Sequence, residues 1–238
     1  MFLTFQERQS DSPFIERVWR SWSTTGGPFL SVAAGNLEIV VTRLRGQTLV
    51  TLRGPETKPS MVECPPDGHW EAIRFRMGTY FPQVPTWRLL DHKNIDLPVT
   101  RDGRFWLEGR SWEIPSFDNA EYLVADMARQ GVVARDPAVD GALEGDIQSL
   151  TLRSVQRHFL QATGMTHTLF RQIERARHAT SLLQTGTSIL DATYEAGYFD
   201  QAHLTRSLKG LIGQSPAKIL REGAQLSFLY KTSPRDED

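Results

Sequence analysis

Cysteine is almost absent: Cys64 is the only one among 238 residues. A lone thiol excludes an intramolecular disulfide framework and any zinc site built on several cysteines. No apolar run approaches the roughly eighteen residues that a membrane-spanning helix needs. The opening stretch MFLTFQERQSDSPF has no basic region followed by an apolar one, so the expectation is a cytoplasmic protein without a secretory leader or membrane partner. Residues 1–146 contain only two histidines, His69 and His92, which leaves little from which to build a metal site. A glycine-rich phosphate loop and a serine elbow are both missing. The expectation is therefore no metal, no other cofactor and no catalytic constellation.

Net charge is also small, at −1, but it is unevenly spread. Residues 1–146 carry 16 Lys+Arg against 20 Asp+Glu, whereas residues 147–223 carry 9 against 5 and hold four of the six histidines. A basic segment beside an acidic one suits a polyanion partner, nucleic acid above all; the alternative is a chance imbalance on a solvated surface. Aromatics divide in the same place, with all six tryptophans before residue 113.

The N-terminal part is written in strand residues punctuated by turns. Leu37–Leu44 and Thr48–Arg53 read as strands around an Arg45–Gly46–Gln47 hairpin, and His69–Met77 and Phe105–Glu108 as two more. Short strands at this spacing imply a small barrel or sandwich. After Pro115 the period becomes helical: Ala120, Leu123, Val124, Met127 and Ala128 form a stripe behind Asp118 as candidate cap. That stripe either packs on the sheet or forms a dimer seam. Residues 131–146, with Pro137 and three glycines, read as the border between two domains, 1–130 and 131–238, with one short helix at Pro137–Leu143.

From Gln148 onward the punctuation is that of helix caps. Thr151, Thr166, Ser188, Asp200 and Ser215 can each accept a bond from an opening helical turn, and Gly164, Gly186, Gly197 and Gly213 can end helices. Leu169–Gln184 reads as a central helix with Leu169, Ile173, Ala176, Thr180 and Leu183 on one face. Shifting the sequence by 49 residues lays Thr151 on Asp200, Val155 on Leu204, Arg157 on Arg206, Phe159 on Leu208 and Gly164 on Gly213. A repeated short capped helix, each preceded by a turn, is the pattern of two helix-turn-helix units. In the second unit Ile189–Ala196 is the first helix, Gly197–Phe199 the turn and Gln201–Ile212 the second helix. A helix fits the major groove, where Arg can grip guanine and Gln adenine in two places each. The outward residues Arg153, Gln156 and Arg157, then Gln201, His203, Thr205 and Arg206, are the candidate base readers; a solvated helix face is the bland alternative for any one of them. Lys218, near the cap of the last helix, is a candidate phosphate contact.

The stretches RSVQRHFLQATGMT and GYFDQAHLTRSLKGLIGQSPA, in that order, resemble the DNA-binding domain of the AraC/XylS transcriptional regulators. The resemblance covers Thr151 to Arg221. It implies two helix-turn-helix units joined by the central helix, both inserted into one face of promoter DNA, and base contacts at the seven residues just named. It further implies a cupin-like β domain ahead of them that serves as effector sensor or dimerisation domain, with RNA polymerase as a further partner. Two positions depart from the family pattern: Glu144–Leu150, which intervenes with a glycine before the first reading helix, and Ala202, where relatives often carry a polar side chain. The fold class expected is α+β in two domains, a β-rich barrel or sandwich and an all-α double helix-turn-helix. The competing function is a β-barrel enzyme with a helical structural tail.

Other candidates carry less. His69 and Glu71 on one strand face could act as two metal ligands, or as surface polarity. Cys64, in a proline-rich turn with no base beside it, reads as an inert thiol. Trp70, Phe75, Trp87, Phe105, Trp106 and Trp112 either line a pocket for a small effector or fill a β core.

Overall fold

The structure, a computed structural model, describes residues 3–145 and 151–222. In chain order it contains strands β1 (Leu3–Gln9), β2 (Ile15–Ser23), β3 (Gly27–Ser31), β4 (Glu38–Leu44), β5 (Gln47–Arg53), β6 (Ser60–Cys64), β7 (His69–Phe75) and β8 (Thr79–Tyr80). A 3-10 turn at Thr86–Leu89 leads to β9 (Ile95–Leu97), β10 (Arg104–Leu107) and β11 (Arg110–Glu113). Then follow α1 (Ala120–Arg129), β12 (Ala134–Arg135), α2 (Pro137–Glu144), α3 (Leu152–Thr163), α4 (His167–Gln184), α5 (Ile189–Glu195), α6 (Gln201–Leu211) and α7 (Pro216–Glu222). No described helix is long and apolar enough to cross a membrane.

The chain divides into two compact units. Of the described residues, the first holds those through Gly27, Gly35–Pro55 and those from Cys64 to His167; the second holds Pro28–Ala34, Glu56–Glu63 and those from Thr168 onward. Compactness and the functional halves expected from sequence are thus drawn along different lines, since α2 and α3 fall in the first unit.

The first unit is built on an antiparallel sheet in the order β1-β2-β7-β4-β5-β9. The expected β4–β5 hairpin is present. Arg45 and Gly46 both have positive φ, at 50° and 76°, which is the two-residue turn whose twist matches that of its strands. The barrel reading is corrected: β1 and β9 are the two edges of an open sheet. Strands β10–β11 form their own ribbon, as do β8 and β12. Alternation gives the sheet one strongly apolar face. There Ile15, Val18, Ile39, Val41, Val50, Leu52, Ile73 and Phe75 pack with Phe105, Trp112 and one side of α1. Ala120, Leu123, Val124 and Met127 all lie in this core, so the α1 stripe packs within the chain rather than forming a dimer seam. The helix opens at Asn119, not Asp118. Asp118 instead lies in a turn where its backbone N–H and that of Asn119 both bond Ser116 Oγ.

The other face buries charge. Glu38 accepts from Arg74 Nε at 2.8 Å and Nη2 at 2.7 Å, and from Trp19 Nε1 at 3.3 Å. Burial alone would push this carboxyl up, but Arg74 and then Arg53 outweigh it and hold Glu38 below the usual carboxylate range. Arg8 clamps β1 to α1, its guanidinium donating to both Glu121 oxygens at 2.5 and 2.7 Å and to Phe117 O at 2.7 Å.

In the second unit α4 to α7 pack around Ala176, Ala179, Leu183, Ala192, Leu204, Leu208, Ile212 and Ile219. Part of that core comes from far upstream. Strand β3 pairs with β6, and the segment that follows β3 inserts Val32 and Ala34 among these helices, with Leu30 packed beside them. Ala33 N donates to Leu211 O at 3.0 Å, and Ala34 and Glu56 exchange two bonds of 2.8 Å. Ser31 Oγ adds a 2.7 Å bond to buried Glu56 Oε2. A Cβ added at Gly213 would sit 3.1 Å from Pro59 Cβ and 3.2 Å from Leu30 Cδ2, so this ribbon seats directly against the end of the helix-turn-helix.

Candidate nucleic-acid interface

The second helix-turn-helix is assembled by its caps. Ser188 Oγ accepts from Asp191 N at 3.1 Å and donates to Asp191 Oδ2 at 2.6 Å, opening α5 with its own side-chain lock. The turn closes with Gly197 N on Tyr194 O at 2.9 Å and Tyr198 N on Thr193 O at 2.8 Å. Asp200 Oδ1 then accepts from His203 N at 2.6 Å, satisfying an orphan amide in the first turn of α6. Leu204 and Leu208 are fully buried and hold α6 down against Ala192 of α5.

Tyr198 is the pin of this turn. Its buried ring meets His203 edge-on at 5.1 Å and carries the Arg175 guanidinium of α4 at 4.7 Å, while its hydroxyl bonds Ser207 Oγ at 2.9 Å. Burial pushes the phenol up from its ordinary value, so it stays protonated and able to donate. Turn, central helix and α6 therefore share one residue. Sequence reading missed both Tyr198 and Arg175, although an aromatic directly after the glycine of a tight turn is a visible anchor signal.

Outward from this scaffold, Gln201 and Arg206 are exposed and His203 and Thr205 half-buried. His203 is not a free side chain, because the Tyr198 contact fixes its ring. Lys218 is exposed on α7, two residues after Pro216. Phe199, which the sequence places in the turn, is 87% exposed.

The first helix-turn-helix follows the same grammar. Asp136 caps α2 by accepting from Ala138 N at 2.9 Å, and Thr151 caps α3 by accepting from Ser154 N at 3.2 Å. His158 Nδ1 of α3 lies 2.8 Å from Asp136 Oδ2, joining α3 to the cap of α2. Val155 and Phe159 are buried, and Arg153, Gln156 and Arg157 are exposed. Residues 146–150, between α2 and α3 in sequence, lie outside the described residues, and with them most of the expected irregularity at Glu144–Leu150. The far end of α3 is held by the 3-10 turn: Thr86 Oγ1 donates to Ala162 O at 3.0 Å. In both units the aligned positions share one fate, with cap, two buried apolar residues, an exposed arginine and a left-handed glycine.

The remaining sequence candidates resolve as packing. Glu71 accepts from the Phe117 amide at 3.0 Å and pairs with Arg43, so it is not held in reserve as a ligand beside His69. Among the described residues no group of three or more His, Cys, Asp or Glu could hold a metal. Cys64 is buried, and burial pushes its thiol up, away from reactivity. Phe75, Phe105 and Trp112 fill the main core, and Trp70 packs on the smaller cluster at the other face of the sheet. Trp87 and Trp106 are exposed by 58% and 44%. The six aromatics thus do not converge on one pocket.

Residues 146–222 match the family model of a helix-turn-helix domain. No curated protein matches the sequence. Among solved structures, ToxT from Vibrio cholerae is similar at 10% identity and a TM-score of 0.41, over 91% of this chain and 98% of that one. A ToxT structure from strain SCE256 with an unsaturated fatty acid bound gives 11% identity and a TM-score of 0.35, over 92% and 94%.

Proposed function

We propose that this chain, a DNA-binding transcriptional regulator with an AraC-type helix-turn-helix domain, reads its operator through α3 and α6 set in two successive major grooves. One observation carries the reading. Two helices, aligned at a spacing of 49 residues, present the same cap, the same buried pair and the same exposed arginine, with polar side chains around it. Arg153, Arg157 and Arg206 are suited to guanine and Gln156 and Gln201 to adenine, while His203 and Thr205 sit at the margin of the α6 set. Lys218 neutralises a phosphate rather than reading a base.

Function is divided as the sequence suggests: residues 131–238 carry the DNA contacts and residues 1–130 are regulatory. The regulatory half either senses a small effector, pairs two copies or meets RNA polymerase. Tryptophan emission, sedimentation and polymerase recruitment tell these roles apart. The protein acts in the cytoplasm, without cofactor or catalysis.

Selection from random duplexes with the full chain, followed by footprinting, tests the reading. Successive major grooves lie one helical turn, roughly 34 Å, apart, so docking of both helices protects an asymmetric site of about twenty base pairs even from a monomer. Protection of a single groove refutes docking of the first unit, and no enrichment of any sequence refutes the reading altogether.

A further inference from the structure

Phe199 stands out once the reading helix is in place. It is 87% exposed, more than any other large apolar side chain among the described residues, and it immediately precedes Asp200, the cap of α6. Ala202, one residue into the helix proper, is exposed as well, and Thr205 follows at the next three-residue step with Arg206 beside it. Ala202 and Thr205, three positions apart within the helix, share one side of it, and Phe199 stands in the turn just ahead of the extended cap residue Asp200. The start of α6 and the turn ahead of it thus present an apolar edge of Phe199, Ala202 and half-buried Thr205, next in sequence to Gln201 and Arg206.

We infer that this edge reads thymine through its C5 methyl group, so that α6 recognises its half-site partly by apolar contact. This rests on the function proposed above. The methyl of thymine is the one apolar group that base edges present in the major groove, and phenylalanine and alanine side chains are among those that meet it. An apolar ring in a solvent-facing turn gains nothing in the free protein, since Tyr198 next to it already supplies the buried anchor. The cationic Arg206 and Lys209 on the same helix place the ring in surroundings that attract DNA. Absence of a polar side chain at Ala202 then becomes part of the recognition, because a small residue lets a methyl approach the helix.

The test uses the full chain and the operator it selects. Within the half-site that footprinting assigns to α6, each thymine is replaced in turn by deoxyuridine, which removes the methyl and nothing else. At one or two positions the wild-type protein loses about fourfold in affinity, the worth of one buried methyl. The Phe199→Ser variant, whose fold is not at stake at so exposed a site, binds thymine and deoxyuridine operators equally at that position. Indifference of the wild type to deoxyuridine at every position, with the operator still selected, overturns the inference and leaves the function standing. The same holds if Phe199→Ser keeps the thymine preference, or if it leaves DNA binding untouched and abolishes only transcription, which would make Phe199 a contact for a partner protein. If no operator is selected at all, the proposed function falls and this inference with it.

Discussion

Replacing Gly164 with alanine should cost far more than its exposure to substitution suggests from sequence. Gly164 closes α3 with φ at 73°, a left-handed conformation that costs an L-residue roughly 1–2 kcal/mol. The new Cβ would lie 3.1 Å from Thr86 C and Trp87 N and 3.2 Å from Thr86 O. These are backbone atoms, and they cannot swing aside as a side chain would. Thr86 is buried and tied to α3 through its bond to Ala162 O, so retreat breaks the contact that positions the helix. Overpacking of this kind costs about 1–3 kcal/mol, which brings the total to roughly 2–5 kcal/mol. Gly186→Ala is the control: its φ is 92°, but nothing lies within 4 Å of the added Cβ, so it bears only the backbone cost of about 1–2 kcal/mol. Urea unfolding followed by far-ultraviolet circular dichroism measures both. Equal losses for the two variants would refute the claim that the Thr86–Trp87 backbone braces α3.

Three further outcomes follow from the same structure. Arg206→Ala and Gln201→Ala relax base preference in one half-site, each costing about 1–3 kcal/mol, whereas Lys218→Ala weakens all sequences alike and lowers the salt slope by about one unit; competition binding at several salt concentrations separates the two behaviours. Glu121, whose carboxyl the Arg8 hydrogen bond draws down to about 2, stabilises the fold above its unfolded pKa near 4.5 and loses that contribution as pH falls from 4.5 towards 2. Acid titration of Glu121→Gln should therefore show a flatter stability profile across that window, and a profile unchanged from wild type argues against the clamp. Arg74→Met leaves Glu38 buried without its main partner and costs about 3–5 kcal/mol, much of it recovered by adding Glu38→Leu; thermal melts of the single and double variants would expose the reasoning if the losses simply added.

What could be read from sequence was what is local. The β4–β5 hairpin, the caps at Thr151, Ser188 and Asp200 and the glycines that end the helices all announce themselves within a few residues, because capping and turn chemistry act at that range. The central helix was legible too, apart from its rotation: Phe170 is buried and Leu169 only half so. Legibility ended where partners are distant. Alternation along each strand says which face is buried but not whether β1 meets β9, so the open sheet could not be told from a barrel. Val32 and Ala34 look like ordinary apolar residues of a β domain, and nothing near them indicates that they complete the core around Leu204 and Leu208. The candidate base readers were legible as an outward set, apart from half-buried His203 and Thr205. Phe199 was not, because an aromatic in a turn is expected to be buried and here its neighbour Tyr198 took that role.

The ribbon of residues 28–34 and 56–63 has a consequence for how the molecule is made. These segments leave the ribosome well before the helices they cover, α4 to α7. The nascent chain must carry Leu30 and Val32 uncovered until α6 and α7 emerge, and closure of the second unit is then a contact of very long sequence separation, the slow kind. The order of birth thus delays the second unit until α6 and α7 have emerged, and a chain cut short before Leu211 leaves Leu30 and Val32 as an unmatched apolar edge, open to aggregation or chaperone capture.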